Sequence, residues 1–288
     1  ARSPVRFSAD KSGLTVTRQI GQSSTASLRY WLEPGAACLR LTIELDWHEP
    51  DTLLKLHFPT AYRGREARCG APFGSVLRPQ LATTPQVEAM WEWPMSRWAT
   101  VSDDGERNGL FVVTEAKYGV SCRDGNLGIS LLRSPAHVGY EEHEKGYAWH
   151  LSRIKKPAVI STDLGRHRIE LAVGHYHLDA ARSEQPAALA ETLFTPPISY
   201  HGRPITTEFG GVEGGDTLIP TWAQPLDRNR WVLRLHEVSG QRGIARGRFP
   251  RDWSVRKTDL LGTSLDRSIT RGRLQFQPYE IINLECDR

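Results

Sequence analysis

His175-x-His177-x-Asp179 is the spacing in this sequence that comes nearest to metal chemistry, because two imidazoles and a carboxylate are the ligand types that zinc takes. An extended segment argues against it. Alternation sends His175 one way and Tyr176 the other, and no second His/Asp pair with recognisable spacing completes a ligand set. No zinc is therefore expected at His175, His177 and Asp179. Glu141-Glu142-His143-Glu144 could pair an acid with a base, but it lies between Tyr140 and Lys145-Gly146 and reads as a hydrophilic loop. Trp91, Trp93 and Trp98 could form a platform on which sugar rings stack. Trp91 and Trp93 share a face if that stretch is extended, so a place in the core is the competing reading, and Trp98 reads as core. No catalytic residue is assigned. The nucleophile elbow, the phosphate-binding loop and the dinucleotide fingerprint are all absent from the sequence.

The elements that must position these residues are strands. The chain has 288 residues, enough for one large or two ordinary domains. Its net charge is +4, from 37 basic and 33 acidic residues, and no basic cluster is long enough to follow a nucleic acid. No apolar run approaches the length of a membrane span, and the first residues do not read as a signal peptide. Cys38, Cys69, Cys122 and Cys286 stand far apart, which suits free thiols in a reducing, cytoplasmic setting better than a disulfide framework. The first residue is not Met, so the chain reads as a piece of something longer.

Period-2 alternation recurs along the chain. Leu39, Leu41, Ile43, Leu45 and Trp47 alternate with Arg40, Thr42, Glu44 and Asp46, which predicts a strand with one wet face. Leu14 to Ile20, Ala26 to Leu32, Leu54 to Phe58, Tyr147 to Leu151 and His167 to Val173 read likewise, as do Trp231 to His236, Leu274 to Phe276 and Tyr279 to Leu284. Trp98–Val101, Leu110–Val113, Lys117–Ser121 and Leu127–Leu131, separated by turns, predict an antiparallel meander inside a large sheet. Helix signals are scarce: Ser183 is the expected cap of a short helix over Pro186 to Leu193. From Thr195 to Gly215 the composition is that of a linker.

Three phrases carry a resemblance. Gly109-Leu110, Lys117-Tyr118-Gly119 and the run from Leu127 to Leu131-Leu132-Arg133-Ser134-Pro135 form one. Asp46-Trp47-His48-Glu49, Leu53-Leu54-Lys55 and Phe58-Pro59 form the second, and Phe73-Gly74-Ser75-Val76-Leu77-Arg78-Pro79 the third. Together they resemble the C-terminal half of glycoside hydrolase family 38, the α-mannosidases. The resemblance implies an all-β fold with little helix. A large, galactose-mutarotase-like β super-sandwich over 1–195, its first strands missing upstream, is followed by a linker and a small β-sandwich over 196–288.

It also implies function. The chain would be the non-catalytic C-terminal portion of a retaining, zinc-dependent enzyme that hydrolyses terminal α-mannosides. Its partner would be its own N-terminal catalytic domain, which would hold the zinc; no cofactor is expected in the chain itself. Arg133 and Ser134 would lie at the border of the mannose site. Phe73, Trp91 and Trp93 would meet sugar or the catalytic domain, and the chain could supply oligomer contacts. The rival readings are a stand-alone β-sandwich carbohydrate-binding module and a mutarotase-like enzyme.

Overall fold

A computed structural model describes residues 5–90, 92–105, 107–138, 159–195, 199, 201–202, 210–269 and 272–288. The chain opens with β1 (Val5–Asp10), β2 (Gly13–Ile20), β3 (Ser24–Trp31), β4 (Cys38–Trp47) and β5 (Thr52–Pro59). There follow β6 (Glu66–Ala71), β7 (Gly74–Pro79), α1 (Pro85–Ala89), β8 (Trp93–Pro94), β9 (Trp98–Ser102), β10 (Asn108–Thr114) and β11 (Gly119–Arg123). Next come β12 (Asn126–Ser134), β13 (Ala136–Val138), β14 (Val159–Ser161) and β15 (Gly165–His177). The last stretch holds α2 (Pro186–Phe194), β16 (Gly211–Glu213), β17 (Leu218–Pro225), β18 (Arg230–Glu237) and β19 (Gly243–Arg248), then β20 (Ser254–Thr258), β21 (Ser264–Ser268), β22 (Arg273–Phe276) and β23 (Ile281–Asp287). The all-β fold with little helix that the resemblance implied is what the chain adopts, its strands forming sandwich sheets.

Two compact units form, one from 1–58 with 128–172 and one from 59–127 with 173–288. In the first, strands lie side by side in the order β1, β2, β3, β4, β15. The alternation of β4 is the reason for its place. Leu41, Ile43, Leu45 and Trp47 are buried on one face, while Thr42, Glu44 and Asp46 face outward. Each fully buried aliphatic side chain contributes about 1.5–3 kcal/mol relative to an exposed one. A one-residue slip would turn that whole set to water, so the pairing of β3 with β4, Ser27 opposite Glu44, is well determined.

In the second unit, β10, β9, β6 and β7 are successive neighbours. β9 and β10 form the expected hairpin, Gly109 opposite Ser102. The meander breaks after that pair. β11 and β12 remain neighbours but in a second sheet, where β11 also pairs with β8, Val120 opposite Trp93, so four runs expected in one sheet are divided between two. Apolar alternation is satisfied equally by either sheet, and only pairing distant in sequence decides. The terminal strands form a three-stranded sheet, β16-β19-β22, and a five-stranded one, β17-β18-β23-β20-β21. Leu218, Leu235, Ile282 and Leu284 from the second meet Ala245, Leu274 and Phe276 from the first in one buried cluster.

The helix over 186–193 is present, but its cap differs from expectation. Ser183 lies inside a 3-10 turn, Arg182–Glu184, and Gln185 takes the cap position without a side-chain bond to the helix, its amide donating instead to the Leu178 and Ala180 carbonyls. Pro186 explains this, since it needs no N–H partner at the first helical position. Helix α1 was not anticipated, although its signal is in the sequence. The Thr84 hydroxyl accepts from the Val87 N–H, and Pro85 follows the cap. Strand β16 lies within the stretch expected to be linker and pairs Val212 with Gly247. The strand expected over Tyr147 to Leu151 lies outside the described residues.

Candidate functional site

Arg133 and Ser134 end β12, and the structure separates their roles. Arg133 points to solvent, whereas Ser134 is fully buried. The Ser134 hydroxyl accepts from the indole Nε1 of Trp47 at 3.1 Å. Its own proton lies within reach of the carbonyl oxygens of Glu49 and Thr52. One small hydroxyl thereby ties the end of β12 to the turn that joins β4 to β5. A buried carbonyl or N–H left unpaired here would cost about 1–3 kcal/mol. The second resemblance phrase and the end of the first are two halves of one joint, 87 residues apart in sequence at Trp47 and Ser134.

Glu49 completes the joint. Its carboxylate oxygen accepts from the backbone N–H groups of Gln22, Ser23 and Ser24 at 2.9, 2.8 and 3.2 Å, and from the Ser24 hydroxyl at 2.9 Å. The Ser24 oxygen in turn accepts from the N–H of His48 at 2.8 Å. Three successive N–H groups closing on one oxygen form an anion-binding concavity whose anion is the chain's own. The Ser23 N–H, the Ser24 hydroxyl and the Gln22 N–H hold the Glu49 carboxyl below its ordinary value of 4.5. A depressed carboxylate stabilises the fold at pH above the unfolded value and loses that contribution as pH falls through the folded value. Glu49→Gln is therefore expected to melt below the native chain at neutral pH, and the gap should close as pH falls below about 4.5. Asp227 and Asp259 are lowered too, so the measurement is the native-minus-variant difference in Tm across pH. A gap that does not change with pH would show that Glu49 acts only by packing.

In the second unit, Phe73 sits at the tip of the β6–β7 hairpin with φ 57° and is 45% exposed. Its ring meets His236 edge-on, the centroids 6.0 Å apart. Below it, Arg68 donates to the Ser75 hydroxyl at 2.9 Å and to the Tyr279 hydroxyl at 3.2 Å, and Ser75 donates to the Val238 carbonyl at 2.6 Å. Gly74 leaves room for the Tyr279 ring, 3.1 Å from where a Cβ would stand. The third phrase thus fastens this hairpin onto β18 and the turn before β23. Burial lowers the pKa of His236, which keeps it neutral beside Phe73. Trp93 is buried, and its indole N–H has no partner among the described residues. Trp98 is buried as well. Trp91 lies outside the described residues, as does Glu141-Glu142-His143-Glu144.

His175 and His177 are exposed on β15 with Tyr176 buried between them. The His177 Nδ1 accepts from the Asp179 N–H at 3.2 Å, so that nitrogen is already used. Among the described residues no three His, Cys, Asp or Glu side chains converge as a metal site requires, and a zinc does not fit them. Cys38, Cys69, Cys122 and Cys286 are free and buried, and burial pushes the thiols of Cys69, Cys122 and Cys286 up to about 12. They are packing residues, not nucleophiles. No described helix is long and apolar enough to cross a membrane. Glu49, Ser24, Arg68 and Tyr279 carry the joints, and sequence reasoning assigned a role to none of them. The available signal was the joint occurrence of the three phrases.

Comparison with known proteins places these joints. The description "Glycosyl hydrolases family 38 C-terminal domain" matches residues 7–141, and "Glycosyl hydrolases family 38 C-terminal beta sandwich domain" matches residues 218–284. Alpha-mannosidase 2C1 of Homo sapiens is 34% identical over 134 residues, 45% of this chain and 13% of that protein. Alpha-mannosidase G of Dictyostelium discoideum is 34% identical over 91 residues, 32% of this chain and 8% of that protein. The solved structure of an alpha-mannosidase from Enterococcus faecalis V583 superposes on 98% of this chain with a TM-score of 0.72 at 12% identity, and this chain covers 35% of it. The matches therefore span a minor part of each relative. All three phrases that build the joints fall within the first matched stretch, the terminal core cluster falls largely within the second, and the chain belongs to the C-terminal β-domain portion of glycosyl hydrolase family 38.

Proposed function

We propose that this chain is the non-catalytic C-terminal part of a retaining, zinc-dependent α-mannosidase that acts on terminal α-mannosides in the cytoplasm. The observation that carries the proposal is the use made of the family phrases. Trp47, Glu49, Ser134 and Ser75 of those phrases are spent on hydrogen bonds that fix the β framework, Ser75 with Arg68 as its partner, which leaves them a supporting role. A retaining glycosidase needs two carboxylates about 5 Å apart with different proton affinities. Glu49, a carboxylate of the second phrase, is instead held ionised by three N–H groups, and Asp46 of the same phrase lies 2.9 Å from the His48 Nε2. The zinc and the reacting carboxylates then belong to an N-terminal catalytic domain, against which Arg133 at the end of β12 would stand at the border of the substrate site. Phe73, exposed on its hairpin, would meet sugar or the catalytic domain, whereas Trp93 is buried and supports its own unit. The free, buried cysteines agree with a reducing compartment.

The purified chain is expected to release no aryl group from an aryl α-mannoside. The longer protein that carries this chain behind a catalytic domain is expected to do so, with the product anomer retained when followed by NMR. Turnover by the chain alone, surviving repurification and abolished by a substitution within it, would overturn the assignment.

A further inference from the structure

The outward face of the first unit's sheet is used by none of these joints, yet it is shaped. Alternation places Thr15 and Thr17 of β2, Thr25 and Ser27 of β3 and Thr42 of β4 on it. Register sets Thr17 opposite Ser27 and Thr15 opposite Arg29 on one side of β3. On the other side Thr25 stands opposite Asp46, Ser27 opposite Glu44 and Arg29 opposite Thr42. Residues on this face recur about every 7 Å along a strand and about every 5 Å between strands. Short hydroxyl side chains form a floor, and Arg29, Trp31, Glu44, Asp46 and Arg168 rise around it.

Two adjoining hollows result. One is lined by Thr17, Thr25, Asp46 and Arg166, the other by Ser12, Thr15, Trp31 and Thr42, while Ser27, Glu44 and Arg168 line both. The pair is therefore one groove with a waist. At the waist the Glu44 carboxylate and the Arg168 guanidinium stand 3.7 Å apart, each more than 60% exposed. That distance is too long for a direct hydrogen bond. A ligand hydroxyl set between them would accept from the guanidinium and donate to the carboxylate. Bonds to ionised partners are roughly twice as strong as those between neutral groups.

The balance of charge selects the ligand. Arg29, Arg166 and Arg168 stand against Glu44 and Asp46, while Glu170 accepts from the Arg168 Nε and Nη2 at 3.2 and 2.8 Å, which leaves Nη1 toward Glu44, and also pairs with Arg40 at 3.5 Å. A polyanion would meet two carboxylates in the groove. A neutral polyol would meet donors and acceptors in turn. Trp31 adds an aromatic body at one end, its ring lying 5.0 Å from the Arg40 guanidinium carbon. An apolar surface beside a few polar groups that fix orientation is the usual make-up of a small-molecule site.

We propose that this groove binds a neutral oligosaccharide of two or more units, crossing at Ser27 with one unit in each hollow. The site does not depend on the mannosidase assignment and touches none of the residues at the Ser134 joint. Titration of the chain with α-mannotriose, maltotriose and a sulfated heparin fragment, followed by NMR or calorimetry, tests it. At least one neutral trisaccharide is expected to bind saturably, with a Kd on the order of 1 mM. Glu44→Ala and Arg168→Ala should each weaken it by about tenfold or more. Both side chains are exposed, so Tm should barely move and the loss reports the groove itself. Arg248→Ala, which removes an exposed arginine of β19 outside the groove, should leave the affinity unchanged. No saturable binding of either neutral trisaccharide, binding of the sulfated fragment alone, or affinity indifferent to both groove substitutions would overturn the proposal.

Discussion

Trp47→Ala is expected to lower the stability of the chain by about 3–5 kcal/mol, a fall in Tm on the order of 10 °C. Two effects add. The side chain is 2% exposed, so its removal leaves a cavity where the inward row of β4 ends. Its Nε1 also ceases to donate to Ser134, whose hydroxyl holds the turn after β4. Trp47→Phe separates the two, since it keeps most of the volume and removes the donor; it should cost about 1 kcal/mol beyond repacking. Ser134→Ala should cost about 1–3 kcal/mol, because it strands a buried carbonyl and a buried indole N–H together. The two substitutions share one hydrogen bond, so Trp47→Phe with Ser134→Ala should cost less than the sum of the singles. Thermal melts of the four proteins decide this. Additive losses, or a Trp47→Ala penalty below about 1 kcal/mol, would show that the phrases around Trp47 and Ser134 are not one joint.

Much of the frame of this joint is legible in the residues. Leu39 to Trp47 alternates without a fault, and the strand it predicts has the predicted wet and dry faces. What alternation cannot give is the partner. The apolar rows of β10 and β11 look alike, yet one pairs with β9 and the other with β8. Nor does a strand pattern say what a polar residue in a turn is for. Glu49 reads as a loop carboxylate until Gln22 to Ser24 are seen to close on it. Ser134 reads as a strand-end serine until Trp47 is placed above it. The resemblance marked these residues as a set, and only coordinates show that they touch. The groove over Ser27 is the reverse case. Its wet face was readable from Arg40, Thr42, Glu44 and Asp46, but its relief depends on which short side chains the register of β2 and β3 brings alongside.

Gly70→Ala carries the second large expected effect. Gly70 lies in β6 opposite Ser75, and its carbonyl accepts from the Ser96 N–H at 2.7 Å. A Cβ on Gly70 would stand 2.6 Å from the Trp98 indole nitrogen and closer still to the backbone carbonyl oxygen of Ser96. The oxygen belongs to a turn with little freedom to retreat. Arg97 beside it is held at φ 63° by its bonds to the Ala190 carbonyl at 2.7 Å and to Glu191 at 3.0 Å. Trp98 is buried and opens β9, so moving it disturbs the sheet that β6 and β9 share. Overpacking of a closed site costs about 1–3 kcal/mol, and the fixed backbone on both sides places Gly70→Ala at the upper end, near 3 kcal/mol. Gly211→Ala is the matched control: nothing stands within 4 Å of its Cβ, and its backbone is not left-handed. That substitution should be neutral or slightly stabilising, because it also restricts the unfolded chain. Parallel melts of the two variants measure the difference. If Gly70→Ala melts within about 1 kcal/mol of Gly211→Ala, the turn at Ser96–Arg97 yields more readily than its bonds to α2 imply.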